Sequence, residues 1–213
     1  MKPLLKAIGL CALALGMGCS SEDGPSQLDE LRGKTRSEDE INRAFSRAQL
    51  LLQQGRPGLL VGVEEFGKVA PMLLLNMRDG RATWITTDDV SIITHQGMLE
   101  GTRGISFDLI TADLSQVMPL VLGRREGQAK RFHSYLGGEN ETVFRSYVCD
   151  VTNSGPREFT LAGAQYTATL MSEDCVGPAS QFTNLYWVRG AEIVQSRQWV
   201  SEGAGALQIG LVP

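Results

Sequence analysis

Two histidines, four cysteines and three tryptophans are the side chains of this 213-residue chain most able to do chemistry or recognition. His95 lies in His95-Gln96-Gly97, which has the composition of a turn. His133 lies in Lys130-Arg131-Phe132-His133-Ser134, which reads as a polar strand. Either imidazole could act as a general base. Neither stands in a motif with a nucleophile, and the sequence has no G-x-S-x-G elbow, so the plainer reading of both is a surface histidine. Paired carboxylates would suit glycoside hydrolysis. The adjacent pairs Glu64-Glu65 and Asp88-Asp89 would point to opposite faces of a strand and could not flank one bond. They read as turn and edge residues. No Gly-rich loop opens a helix, which argues against a nucleotide site.

Cys11 falls in an apolar leader and Cys19 at its end. Cys149 and Cys175 remain, an even pair 26 residues apart. In an exported protein such a pair reads as a disulfide. A metal site would need Cys or His neighbours at ligand spacing, and a redox pair would need C-x-x-C; neither pattern is present. No metal and no cofactor are expected.

Trp84, Trp187, Trp199 and Tyr186 could stack on sugar rings, although core packing is the plainer reading of each. Trp199 is the ring expected to be most exposed, because it sits between Gln198 and the Ser201-Glu202-Gly203 turn. If the domain binds a ligand, two places stand out. One is the stretch from Thr94 to Gly104, with His95 and Arg103. The other is the Trp199 edge, with Arg197.

The elements that must position these residues are mostly strands. Gln181 to Val200 holds two β-prone runs around Arg189-Gly190 and reads as a hairpin that anchors a core through its two tryptophans. Arg78-Asp79-Gly80 and His95-Gln96-Gly97 read as further hairpin turns, and Asn153-Ser154-Gly155-Pro156 as another turn. About a dozen short strands follow from this pattern. Regular crossover helices are missing, so the sheets should be antiparallel, in a sandwich- or barrel-like arrangement. Asp113 to Met118 could be a short helix stopped by Pro119. One longer helix is expected near the N-terminus. Ser37-Glu38-Asp39-Glu40 is a capping box, and Ile41, Phe45, Ala48 and Leu52 follow at helical spacing up to Gly55 and Pro57.

Composition bounds the class. Hydrophobic residues make up 42% of the chain, enough for a real core, and Gly is abundant at 24. The formal charge is −4, and −6 once a leader containing Lys2 and Lys6 is removed. A net-acidic surface argues against nucleic acid as a partner. Residues 1–18 read as a secretory signal with a basic start and an apolar run too short to span a bilayer. The run ends Leu15-Gly16-Met17-Gly18-Cys19, which resembles a bacterial lipoprotein signal with Cys19 as the acylated residue. Ser20 follows, and in lipoproteins of Gram-negative bacteria that implies the outer membrane. Residues 19–36 are polar and Gly- and Pro-containing, and read as a tether. Residues 37–213 then form a β-rich domain, as one unit or as two halves meeting near 123–128.

Several stretches together resemble the YjbF-type lipoproteins associated with group 4 capsule and exopolysaccharide production. One runs from Trp84-Ile85-Thr86-Thr87-Asp88 through Ile92-Ile93-Thr94-His95-Gln96-Gly97 to Gly104. A second is Tyr166 to Cys175, with Glu173 ahead of Phe182-Thr183-Asn184-Leu185-Tyr186-Trp187-Val188. A third is Val194-Gln195-Ser196-Arg197-Gln198-Trp199-Val200, and Cys19 adds the lipoprotein start. The resemblance implies a periplasm-facing, lipid-anchored protein of the outer membrane that assists polysaccharide production or export. Its partners would be the membrane, glycan and export-machinery proteins. No catalytic residues come with it, so a non-enzymatic role is expected. The rival readings are a polysaccharide-modifying enzyme, with clustered carboxylates or a His95 pocket, and a structural envelope lipoprotein with buried tryptophans and no groove.

Overall fold

The structure is a computed structural model that describes residues 57–161 and 164–212. The leader, Cys19, the tether and the helix expected from Ser37 to Leu52 lie outside the described residues. Within them the chain forms twelve strands, one short helix and one 3-10 turn. The strands are β1 (Gly58–Val63), β2 (Lys68–Arg78), β3 (Arg81–Ile85), β4 (Ser91–His95), β5 (Met98–Arg103) and β6 (Leu109–Asp113). After the helix α1 (Val117–Leu122) come β7 (Gly127–Leu136), β8 (Thr142–Leu161), β9 (Ala164–Val176), β10 (Gln181–Arg189), β11 (Glu192–Ser201) and β12 (Gly205–Val212).

All twelve strands join one sheet in the order β5-β4-β3-β2-β1-β12-β11-β10-β9-β8-β7-β6, and the paired strands run antiparallel. The turns explain the pairing. Asp79-Gly80 and Gln96-Gly97 each have two successive residues at positive φ, the conformation whose twist matches a tight antiparallel hairpin. The order begins at β5 and ends at β6, which are consecutive in sequence and in contact, so the sheet curls into a nearly closed barrel. The seam between them is joined by side chains. Arg103 Nη1 donates to the carbonyls of Leu109 (3.2 Å) and Ile110 (3.3 Å). Thr102 Oγ1 donates to Asp108 Oδ1 (2.7 Å) and accepts from Leu109 N (3.0 Å). Gly101 permits the approach, since a Cβ there would stand 3.0 Å from the Ile110 carbonyl oxygen.

Alternation along the strands sends one face into the barrel. β10 shows it most regularly, with Phe182, Asn184, Tyr186 and Val188 buried and the residues between them more exposed. The interior holds Met72, Trp84, Ile92, Leu109, Met171, Tyr186 and Leu207. Gln198 reaches across it from β11. Its Oε1 accepts from Leu99 N (2.7 Å) in β5, and its Nε2 donates to Gly97 O (3.0 Å) in the turn before it.

Two local expectations need correction. Pro119 does not stop a helix over Asp113–Met118; it sits in the first turn of α1, where an amide has no intrahelical partner to lose. Asn153-Ser154-Gly155-Pro156 is a bulge inside β8, where the register to β9 shifts between Asn153 and Pro156 and Gly155 has φ 74°. A bulge tolerates the missing proline N–H as well as a turn does. The polar stretch 123–126 joins α1 to β7, and the sheet runs on through strands from both sides of it.

Cys149 and Cys175 stand directly opposite each other on β8 and β9 and are bonded, as expected. Both are buried beside Tyr147 and Phe182. The bridge closes a 26-residue separation, which in the chain-entropy view stabilises by about 3 kcal/mol. Replacing both cysteines by alanine is therefore expected to lower the free energy of urea unfolding by about that amount, with the far-ultraviolet spectrum of the folded state unchanged.

Candidate functional site

The side chains that sequence patterning leaves least explained gather at one end of the barrel. Period-two alternation along β7 turns Arg131, His133 and Tyr135 inward. Glu173 on β9 and Asn184 and Tyr186 on β10 face the same space. Arg131 and Glu173 are both fully buried. Arg131 Nη1 donates to Glu173 Oε1 (2.9 Å) and Oε2 (2.8 Å). Oε2 also accepts from Tyr186 Oη (2.7 Å) and Asn184 Nδ2 (2.8 Å). The carboxylate is thus held by three side chains besides its own strand, as a buried charge requires. Burial works against the Arg131 charge, but Glu173 and Tyr186 outweigh it and hold the guanidinium above its ordinary pKa. Burial, then Glu173, raise the Tyr186 hydroxyl well above its ordinary value, so it stays a donor.

The network continues in one direction. Arg131 Nε donates to His133 Nε2 (2.9 Å). A guanidinium has no acceptor, so Nε2 carries the lone pair and the ring proton sits on Nδ1. Nδ1 then donates to Tyr135 Oη (2.9 Å), and Tyr135 Oη donates to the carbonyl of Val200 (2.8 Å). His133 is therefore buried and neutral, not a surface residue. Burial and the Arg131 charge push its pKa down to about 2. Its one basic nitrogen is already taken, which leaves it a link in the network and not a proton acceptor for a substrate. Cys149, Cys175 and Glu173 bring potential ligand atoms within 4.8 Å of one another. The two sulfurs are bonded to each other and the carboxylate is bound by Arg131, so this donor set does not suit a metal ion.

Over this network lies a cleft of about 250 Å³. Its aromatic wall comprises Tyr135, Tyr147, Trp199 and Phe107, with Arg145 and Glu202 among the charged residues. Trp199 is half-buried and stacks parallel on Phe182, with ring centres 5.6 Å apart and planes 5° apart. Phe182 stacks in turn on His133 (5.6 Å) and meets Tyr147 edge-on (4.9 Å). The Trp199 backbone is fixed as well, its N–H donating to Asn184 Oδ1 (2.7 Å). Asn184 thereby ties the tryptophan to the carboxylate that its other end holds. Phe107 comes from the β5–β6 loop, which is pinned by Asp108 (Oδ2 accepts from Gly104 N at 2.8 Å) and by Ser201 Oγ donating to Phe107 O (2.7 Å). Gly203 lets the Phe107 ring lie down, because a Cβ there would meet it at 2.4 Å.

Of the residues singled out in the sequence, Trp199 alone lines this cleft. Arg197 is braced against Glu64 (Nη2 to Oε2, 2.6 Å) and the Thr183 carbonyl (2.7 Å). That hydrogen bond holds the Glu64 carboxyl below its usual range, although burial opposes it. Arg103 serves the β5–β6 seam. His95 ends β4 at the opposite end of the barrel, beside Gly80. Trp84 is buried with its Nε1 donating to Thr94 Oγ1 (2.9 Å), and Trp187 lies against Phe159.

The model of the group 4 capsule polysaccharide lipoproteins GfcB and YjbF matches residues 43–212. The chain belongs to this family. Among curated proteins it is similar to the uncharacterised lipoprotein GfcB of Escherichia coli K12, 24% identical over 98% of this chain and 96% of that protein. Among solved structures it is similar to the hypothetical lipoprotein YmcC of Escherichia coli K12. The TM-score is 0.68 at 18% identity, covering 85% of this chain and 98% of that one, which establishes the shared fold. Membership sets the protein in a capsule-polysaccharide context as an envelope lipoprotein.

The buried histidine gives a pH dependence. The unfolded chain binds its proton below about pH 6.5, and the folded chain does so only near pH 2. The unfolded state therefore holds more protons between these values. Stability from this group is complete above pH 6.5 and is lost as pH falls, at about 1.4 kcal/mol per pH unit. His133→Gln keeps an acceptor for Arg131 and a donor for Tyr135 without titrating. Urea unfolding at pH 7, 6 and 5 should show the wild type falling by that slope relative to the variant; parallel profiles would contradict the assignment.

Proposed function

We propose that the protein is a lipid-anchored, non-catalytic component of capsule or exopolysaccharide export that holds glycan in the Trp199 cleft. The observation that carries this is the composition of the cleft. Aromatic faces meet the apolar faces of sugar rings, and the polar and charged groups around them suit hydroxyls and carboxylates. The wall is rigid before any ligand arrives, since Trp199 is fixed by Phe182 and Asn184. Preorganisation of this kind lowers the ordering cost of binding. Arg145, which donates to the Phe144 carbonyl, supplies a cation at the rim for an acidic sugar. Acylation at Cys19 would hold the domain at the outer membrane, with the domain in the periplasm.

The test combines genetics and binding. In a strain lacking the gene, polysaccharide is measured in surface, medium and periplasmic fractions. Complementation with wild type should restore surface polysaccharide, whereas Cys19→Ser and Trp199→Ala should not. Calorimetric titration of the soluble domain with oligosaccharides of the same polymer should show Trp199→Ala weakening binding by about ten-fold, from the loss of one aromatic stack. Unchanged polysaccharide in every fraction would remove the pathway claim. Unchanged titration with altered fractions would move recognition from glycan to a protein partner.

A further inference from the structure

Among the described residues the Trp199 cleft has walls all round and no exit into the barrel. β11, the β9–β10 loop, β8 and β7 supply an arc of its lining through Trp199, Ser180, Tyr147 and Tyr135. These elements follow one another in the sheet, in the order β11-β10-β9-β8-β7-β6. The β5–β6 loop closes the arc. It leaves the sheet at the seam and meets the β11–β12 turn, where Ser201 Oγ donates to the Phe107 carbonyl (2.7 Å) and the Phe107 ring lies against Gly203. Behind Tyr135 and Tyr147 stands the His133 ring, with centres 6.0 and 5.2 Å away. Phe182 and the Arg131–Glu173 pair fill the space beyond, all buried. The mouth faces solvent, since Phe107 is 69% and Leu136 61% exposed at its lip.

We propose that the cleft takes the end of a glycan chain, a terminal sugar residue held against Trp199 and Phe107, and not a stretch of chain interior. This rests on the glycan-binding reading and narrows it. A chain interior leaves its site on both sides and needs a groove open at two ends. The cleft has one mouth, and the buried network behind it stops a polymer from threading the barrel there. Its volume of about 250 Å³ is just below the roughly 300–1,000 Å³ of sites for drug-sized ligands, which leaves room for about one or two sugar rings. The closing wall is also held in a costly conformation. Ser106 and Phe107 have φ 73° and 52°, a region that a bulky residue rarely adopts. Asp108 imposes it: Oδ1 accepts from Thr102 Oγ1 (2.7 Å) and Ile105 N (3.2 Å), and Oδ2 from Gly104 N (2.8 Å). Such strain persists only where the surroundings over-determine it, and it collects at ligand clamps. Its result here is an apolar ring kept in water at the lip of the cleft, where a sugar face can meet it.

The test uses the full-length protein and the polysaccharide of the source strain, cut by partial acid hydrolysis and fractionated by size from disaccharides to long chains. Calorimetric titration reads both the affinity and the number of protein molecules bound per chain. The ratio should stay at one protein per chain at every length, with an affinity per chain that is flat beyond about two or three residues. At equal mass, short oligomers should therefore compete better than long ones, in proportion to their number of ends. Phe107→Ala removes an exposed ring that the core does not need, and should weaken binding of every fraction by about five-fold, the loss of one aromatic contact. Ratios that rise with chain length would overturn the proposal and leave the glycan-binding reading standing. An affinity unchanged by Phe107→Ala would overturn it as well. Binding of no fraction would remove both.

Discussion

The ion pair between Arg131 and Glu173 sets the terms for the cleft end of the barrel. Each charge is fully buried, and a buried charge is tolerated only when its hydrogen-bonding capacity is met. Meeting it recruits three strands. Arg131 comes from β7, Glu173 from β9, and Asn184 and Tyr186 from β10. Asn184 then reaches the backbone of β11 at Trp199, and the His133–Tyr135 relay reaches it again at Val200. Satisfying one carboxylate therefore fixes the position of the ring that forms the cleft wall. Among the described residues Arg131 Nη2 has no hydrogen-bond partner.

Such a pair is weak evidence for stability in itself, because desolvation offsets much of the attraction. Its value here is geometric. A hydrophobic replacement would leave Asn184 Nδ2 without its carboxylate acceptor, and Asn184 is the side chain that holds the Trp199 N–H. Specificity of arrangement, not net free energy, is what the polar interior adds.

Much of the fold was legible in the sequence. The hairpins at Asp79-Gly80 and Gln96-Gly97 were visible because a two-residue turn with positive φ restricts composition sharply. The disulfide was legible from cysteine count alone. The barrel end of the earlier choice between sandwich and barrel was not, since closure depends on β5 meeting β6, and the residues that join them are ordinary polar ones. The site was the least legible part. In β7 the usual polarity is inverted: Arg131 is fully buried while Phe132, its neighbour, is 45% exposed. A stretch reading Lys-Arg-Phe-His-Ser thus seemed polar and exposed where its charged member faces the core. The available signal was the alternation Arg131, His133, Tyr135 set against the isolated Glu173 of a β-prone run. It points to a buried pair only once β7 and β9 are known to share an interior. Arg197 and Arg103 stood out for the same reason in reverse, since cations that brace a sheet read like cations that await a ligand.

The seam has a consequence of its own. A sheet whose first and last strands are fastened by Thr102, Arg103 and Asp108 can come undone there without losing a backbone ladder elsewhere. An undone seam would present two open strand edges, each with amides and carbonyls ready for another chain. Molecules concentrated on a surface would then be able to zip together edge to edge. The three side chains that finish one barrel are in this sense also what keeps neighbouring barrels separate individuals, and the close approach at Gly101 leaves little room for a foreign strand to enter.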